Sequence, residues 1–316
     1  MFNCQRFSLS CNRKYAVIVG LSCVFITVLY AVHHQLRILN CTSFYNTPFQ
    51  WEGFGPERGS YSFTVVTSMI DIGRGRWNAQ SRKYNDYLMF MSHLLKLDVN
   101  MVIFIETKGR PFVEWMRRGR KKRTLILPIT LQDLPYYKHR GRMEEIMKSV
   151  EYQNDNELLT DGDHCEARIP EYDIVQLSKI HLVNEAILRN PFNTSYYFWI
   201  DGGYGHGEAG VYPSDGVWKP VLAHSDKVML LQLKPIDEWE HVPDLHKKNI
   251  NILAGGVFGG GVDVLRRYHE LHVKLIDEWM RKGIVDDDQT ANIQLYFRDR
   301  TMFHLVRSGW FDLFKL

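Results

Sequence analysis

The stretch "SYYFWIDGGYGHG" runs from Ser195 to Gly207. Five of its first six residues are aromatic or β-branched, which suits a strand buried on both faces better than one alternating between core and water. The run stops at a single carboxylate, Asp201, and glycines recur at 202, 203, 205 and 207. A charged residue at the end of an apolar strand, beside glycines that allow close approach to the backbone, reads as a ligand site. A carboxylate placed there can hold a divalent cation against a nucleotide diphosphate. The plainer alternative is an Asp-Gly turn.

Working outward, four further apolar runs read as strands: Ser62–Ile70, Asn100–Thr107, Arg123–Thr130 and Lys227–Leu233. Between and after them, apolar residues three and four apart predict helices over Arg82–Leu97, Asp173–Arg189 and Asp263–Met280. Strands alternating with helices imply an α/β fold with a mostly parallel sheet, whose ligands sit beyond the carboxyl ends of the strands.

The chain has 316 residues, 45% of them hydrophobic, and a formal charge of only +3, too weak to argue for nucleic acid. Residues 15–32 carry no charge and would span roughly 27 Å as a helix, enough for a thin bilayer. Arg6, Arg13 and Lys14 precede that run with no acid among them, so the positive-inside rule puts residues 1–14 in the cytosol and the rest beyond the membrane. A cleaved signal peptide is the alternative. The expected order is a tail (1–14), a transmembrane signal anchor (15–32), a stem (33–59) and one luminal domain (60–316), in the Golgi or ER membrane. Asn40 and Asn193 head glycosylation triplets, and Cys41 and Cys165 are the cysteines that an oxidising lumen can pair.

Four segments can carry chemistry. Asp201 is the first. The second is "NILAGGVFGGGVDVL" (Asn251–Leu265), where Gly255 and Gly256 can line a pocket or make a tight strand-to-helix connection. In "VDDDQTANIQLYF" (Val285–Phe297), the acids either cap a helix, or Asp287 or Asp288 is a catalytic base or an acceptor-hydroxyl ligand, with Gln289 as hydrogen-bond partner. In "IDIGRGRWN" (Ile70–Asn78), Asp71, Arg74, Arg76 and Trp77 follow the first strand, where the arginines can bind phosphate and the tryptophan can stack. Gly205–Gly210 matches G-x-G-x-x-G, but the following Val-Tyr-Pro-Ser-Asp-Gly is a turn, so a dinucleotide site is rejected. His269 and His272 are three apart on a helix with no third ligand evident, and the basic run Arg117–Arg123 reads as a solvated face.

"DIGRGRW", "LSKIHLVNEAI" (Leu177–Ile187), "FWIDGGYGHG", "AGGVFGGG" and the late "DDQ" (Asp287–Gln289) together resemble the HtrL/YibB-like family, over nearly all of the chain after Ser60. The resemblance implies glycan synthesis. The motif order is also similar to GT-A glycosyltransferases, with Asp201, Gly255–Gly256 and Asp288–Gln289 in the places of the D-x-D strand end, the acceptor loop and the D-Q helix. That likeness implies a type II membrane glycosyltransferase that takes a nucleotide-sugar donor and a glycan acceptor, with Mn2+ or Mg2+ as cofactor. The donor would meet Asp201, Asp71, Arg74, Arg76 and Trp77. Asp288 or Asp287 would serve as base, with Gly255, Gly256 and Gln289 on the acceptor side. The second aspartate of D-x-D is absent, since Gly203 stands there; His206 or His304 would have to complete a metal site with Asp201. Two other readings stay open: a pseudo-transferase that binds glycan or a partner, and a luminal metal-dependent hydrolase.

Overall fold

The computed structural model describes residues 62–316 apart from 77–81, 161–163 and 209. The expected anchor, the stem, Asn40, Cys41 and Trp77 lie outside the described residues. Among the described residues no helix is long and apolar enough to cross a membrane.

All five expected strands form. They are β1 (Phe63–Met69), β2 (Asn100–Ile105), β3 (Thr124–Pro128), β4 (Tyr196–Ile200) and β5 (Val228–Gln232). Two strands were not read from the sequence: β6 (Leu253–Gly261) and β7 (Phe303–Arg307). Together they make one sheet in the order β3-β2-β1-β4-β6-β5-β7. β6 runs antiparallel to both β4 and β5, and the remaining strands share one direction. The chain proceeds from β1 outward to β2 and β3, then returns to place β4 on the other side of β1. That reversal opens a crevice between the carboxyl ends of β1 and β4, where open α/β sheets bind ligands.

The longer helices are α1 (Tyr84–Leu95), α2 (Arg110–Met116), α3 (Arg140–Lys148), α4 (Pro170–Leu177), α5 (Lys179–Arg189), α6 (Val262–Lys282) and α7 (Asp288–Arg298). The single helix expected over Asp173–Arg189 is two, α4 and α5, separated at Ser178. Every residue of β4 is buried, which accounts for the unbroken apolar run. On one face Tyr197 and Trp199 join the core formed with α3 to α7. On the other, Phe198 packs on Phe63 and Trp218, with ring centroids at 5.7 and 4.8 Å.

The segment "LAGGVFGGG" is therefore a buried strand, and the loop or tight connection expected there is corrected. Its glycines answer to crowding by the neighbouring strands. A Cβ on Gly259 would lie 2.5 Å from the Phe198 ring, and one on Gly261 would lie 2.4 Å from the Ser225 carbonyl. No other residue type lets β6 pair so closely with the aromatic β4.

The basic run also departs from expectation. Arg117 is 1% exposed, and its guanidinium donates to the carbonyls of Leu95, Leu97, Val99 and Arg123. Carbonyls at a helix end lack intrahelical partners, and the planar fork of donors reaches several at once. Burial pulls this guanidinium down to about 9. Arg120 and Arg123 are buried beside Asp98, while Arg118, Lys121 and Lys122 remain on the surface.

Candidate functional site

The crevice between β1 and β4 widens into a cavity of about 540 Å3. Its wall is built from the end of β1 (Ser68–Ile72), the end of β4 (Trp199–Tyr204), the start of β6, the α4–α5 junction, the start of α7 and the C-terminal Trp310 and Phe311. At the strand ends the backbones nearly touch. A Cβ on Gly202 would lie 2.7 Å from the Ser68 carbonyl, so only glycine permits this approach directly after Asp201.

Asp201 leaves β4 on the same face as Trp199, two residues earlier, whose indole N–H donates to Asp201 Oδ1 at 2.6 Å. Lys179, the first residue of α5, reaches the same place from the helix layer. Its Nζ lies 3.1 Å from Asp201 Oδ1, 2.9 Å from Asp288 Oδ2 and 2.9 Å from the Gly255 carbonyl. An ammonium has three donors, and all three are used. The Lys179 side chain is 5% exposed and that of Asp288 8%, whereas Asp201 keeps 34% toward the cavity. Burial lowers the proton affinity of Lys179, but Asp201 and Asp288 outweigh it and hold the amine charged. Gly255 is small for a matching reason: a Cβ there would lie 2.5 Å from Asp288 Oδ1.

The acids of "VDDD" divide their labour. Asp287 is the N-cap of α7; its Oδ1 accepts from the Gln289 amide and its Oδ2 from Gln289 Nε2. Asp288 begins the helix and turns to Lys179. Burial raises Asp288 to about 7 against the pull of Lys179, with Asp287 and Asp201 adding to the rise. Burial and the charge of Glu166 raise Asp287 to about 6. The helix-cap and functional readings of this segment thus fall on adjacent residues. Gln289 Oε1 has no hydrogen-bond partner among the described residues, and Gln289 lines the cavity.

On the β1 side, Asp71 accepts from the Gly73 amide at 2.8 Å and from Lys108 Nζ at 2.6 Å. Burial raises its carboxyl, but Lys108 and Gly73 outweigh that and keep it below its ordinary value. Arg74 lines the cavity with its guanidinium 5.8 Å from the centre of the Tyr87 ring. Arg82, which the sequence reading passed over, lines it too. Arg76 is exposed and outside the wall, with its side chain folded back over Gly73. Its expected place at the donor is corrected: of the two arginines on the 3-10 turn Arg74–Arg76, only Arg74 reaches the cavity wall.

Asp201, Asp71, Arg74, His206, Gly255, Gly256, Asp287, Asp288 and Gln289 are thus brought to one cavity. His304 is not. It lies near the start of β7, level with Met229 of β5, with its ring 4.5 Å from that of His224. It cannot complete a site with Asp201, because β5 and β6 stand between β7 and β4. His206 does line the cavity, but burial and the charges of Arg82 and Arg74 lower its proton affinity. Among the described residues no group of three or more His, Cys, Asp or Glu side chains can hold a metal ion. The donor set around Asp201 does not fit the expected Mn2+ or Mg2+, because the Lys179 ammonium stands between its carboxylate and that of Asp288.

Lys179 is the residue that sequence reading missed. Its signal was present, since Lys179, Leu182, Val183 and Ala186 fall at i, i+3, i+4 and i+7, a charge in phase with an apolar stripe. Lysine is rarely buried without a charged partner, so that phase called for an acid opposite. Elsewhere, His269 Nε2 is 2.8 Å from His181 Nδ1 and His272 Nδ1 is 3.1 Å from the Tyr136 hydroxyl. Neither histidine lines the cavity. Asn193 is exposed in the turn before β4, and Cys165 is buried while Cys41, its expected partner, lies outside the described residues.

The model of one protein family, HtrL_YibB, described as bacterial protein of unknown function, matches residues 61–316. Protein HtrL of Escherichia coli K12 is 28% identical over 269 residues, covering 80% of this chain and 92% of that protein. Among solved structures, mouse xyloside xylosyltransferase 1 in its apo form aligns with TM-score 0.39 at 10% identity, over 77% of this chain and 84% of its own. The 4-diphosphocytidyl-2C-methyl-D-erythritol synthase of Anaerococcus prevotii aligns with TM-score 0.36 at 8% identity, over 78% and 87%. At these scores neither carries an argument about this chain.

Proposed function

The chain belongs to the HtrL_YibB family, and from its cavity we propose a glycosyltransferase that moves a sugar from a nucleotide-sugar to a hydroxyl of a glycan acceptor. One observation carries this reading. Two carboxylates from different elements, Asp201 and Asp288, meet on one buried ammonium at the sheet's switch point, beside a cavity that also holds Arg74 and Arg82. The arginines supply positive charge for a diphosphate. Asp288, with a proton affinity near neutrality, suits a general base.

In the proposed reaction the acceptor oxygen attacks the anomeric carbon and its proton passes to Asp288. The bond from that carbon to the diphosphate oxygen breaks, and the nucleoside diphosphate leaves with the electron pair. Gln289 Oε1 and Asp201 accept hydrogen bonds from sugar hydroxyls. The apolar run 15–32 supports the accompanying proposal of a single-pass type II anchor with the domain on the luminal side of the Golgi or ER.

A thermal-shift screen of the full chain against UDP-, GDP-, CDP- and ADP-sugars tests the reading, because a ligand that binds only the folded state raises Tm by mass action. One donor is expected to shift the wild type and Asp288→Asn alike, with transfer lost in the variant. Transfer by the wild type rises with pH through about 7, because the base acts deprotonated and burial has raised its pKa. A folded chain that no nucleotide-sugar shifts overturns the proposal.

A further inference from the structure

The mismatch between the expected metal and the donor set points to a specific assignment. We infer that Lys179 is the resident cation of this site, held where a divalent ion would otherwise bridge Asp201 and Asp288, so that ligand binding here needs no metal. The inference rests on the transferase reading only for the identity of the ligand.

The geometry carries it in three steps. First, the carboxylates of Asp201 and Asp288 are tied to a single Nζ at 3.1 and 2.9 Å, so a metal between them must displace that ammonium. Second, the ammonium is not a mobile surface charge. Its third donor is fixed to the Gly255 carbonyl at 2.9 Å, and the residue is 4% exposed, closed in at the start of α5. Third, both oxygens of Asp201 already face donors, Oδ1 the Trp199 indole at 2.6 Å and Lys179 at 3.1 Å, Oδ2 Lys179 at 3.3 Å, and the 34% of the side chain that stays exposed leaves the remaining lone pairs to a ligand.

A lone carboxylate repels a diphosphate, but one whose charge a buried ammonium offsets can accept hydroxyl hydrogens beside it. In this arrangement the diphosphate is met by the guanidinium groups of Arg74 and Arg82, and Asp201 is an acceptor for sugar hydroxyls. The same assignment explains why no second aspartate follows at position 203. The cation enters from α5 rather than from solution, and the place of that aspartate is taken by Gly203, whose Cβ position faces the Tyr87 ring at 3.5 Å.

The test uses Mn2+ as probe on the full chain, read by electron paramagnetic resonance, which separates bound from free ion without any assay of activity. Wild type is expected to leave the free-ion signal unchanged. Lys179→Met, which keeps the length and removes the charge, is expected to bind one Mn2+ per chain, and Lys179→Met combined with Asp201→Asn to lose it. A wild type that binds one Mn2+, lost in Asp201→Asn, overturns the inference. A folded Lys179→Met that takes up no Mn2+ overturns it as well. If Lys179→Met does not fold, as near-ultraviolet circular dichroism would reveal, the comparison of wild type with Asp201→Asn still decides.

In parallel, UDP, GDP, CDP and ADP are titrated in EDTA and in Mn2+. The expected result is a nucleoside diphosphate whose affinity differs by less than about twofold between the two conditions; a loss of about tenfold or more in EDTA overturns the inference. If none of the four binds in either condition while the Mn2+ signals come out as expected, the assignment of Lys179 stands and the transferase reading falls.

Discussion

At the scale of single residues, the candidate site is governed by which charges are buried and what faces them. Asp201, Lys179 and Asp288 form a satisfied set, with each ammonium donor matched. A contrasting residue lies close by in sequence. Asp173 on α4 is 0% exposed, and neither carboxylate oxygen has a hydrogen-bond partner among the described residues. Burial, with Asp286 and Asp287 adding, raises its carboxyl well above the ordinary value. A raised folded-state pKa means that the stability this group contributes is fully present below its unfolded value, about 3.9, and is lost as pH rises toward the folded one. Asp173→Asn removes the ionisation. It is expected to raise stability at about pH 8 by about 1–3 kcal/mol and to change little at about pH 4. Urea unfolding at the two pH values checks this, and an equal effect at both would refute it. Asp201 and Asp288 were legible as candidates because acids at a strand end and a helix start are conspicuous in sequence. Lys179 was passed over because a lysine inside a helical pattern is ordinarily a solvated one.

At the scale of elements, the strands that are apolar throughout were readable and the glycine strand was not. Tyr196–Ile200 is buried on both faces, and its composition says so. β6 is buried too, apart from the half-buried Gly256 at the cavity, but its composition answers to its neighbours' bulk rather than to its own, and glycine-rich segments ordinarily read as loops. Gly259→Ala tests this account. The new methyl would stand 2.5 Å from the Phe198 ring and 3.1 Å from the Tyr197 carbonyl. Overpacking between paired strands is expected to cost about 1–3 kcal/mol in denaturant unfolding. Gly141, where a Cβ would meet nothing within 4 Å, is the control. Alanine there is expected to be neutral or slightly stabilising. The basic run follows the same logic. Arg117 looks solvated in a list of charges and is buried because carbonyls near the end of α1 converge on it.

At the scale of the whole molecule, the cavity is closed from the far edge of the sheet. After β7 the chain crosses back over the strand ends. There the Leu313 amide donates to the Tyr204 hydroxyl at 3.2 Å, and the Phe314 ring packs against Tyr212 and Trp218 at 4.8 and 5.1 Å. This anchoring leaves Trp310 41% exposed in the cavity wall. The two aromatics are therefore expected to separate stability from binding. Phe314→Ala lowers stability by about 1–3 kcal/mol through lost ring packing. Trp310→Ala stays within about 0.5 kcal/mol, as exposed positions do, and weakens whatever ligand the thermal-shift screen finds. Equal loss of stability in both variants would contradict this division.

By itself the sequence determined the α/β class, five of the strands, the helices α1 and α6, the helical stretch that α4 and α5 divide, and the acids at the two element ends, because each follows from a local period or a local break in polarity. Only the tertiary structure decided which of those acids meet, that a lysine rather than a histidine stands between them, that the glycine segment is a strand, and that Arg76 and His304 lie elsewhere. The physical reason is common to all four. Sheet order and the packing of α5 on the sheet bring together groups far apart in the chain, such as Lys179 and Asp288. The energy of a buried charge depends on what faces it, which no local pattern records.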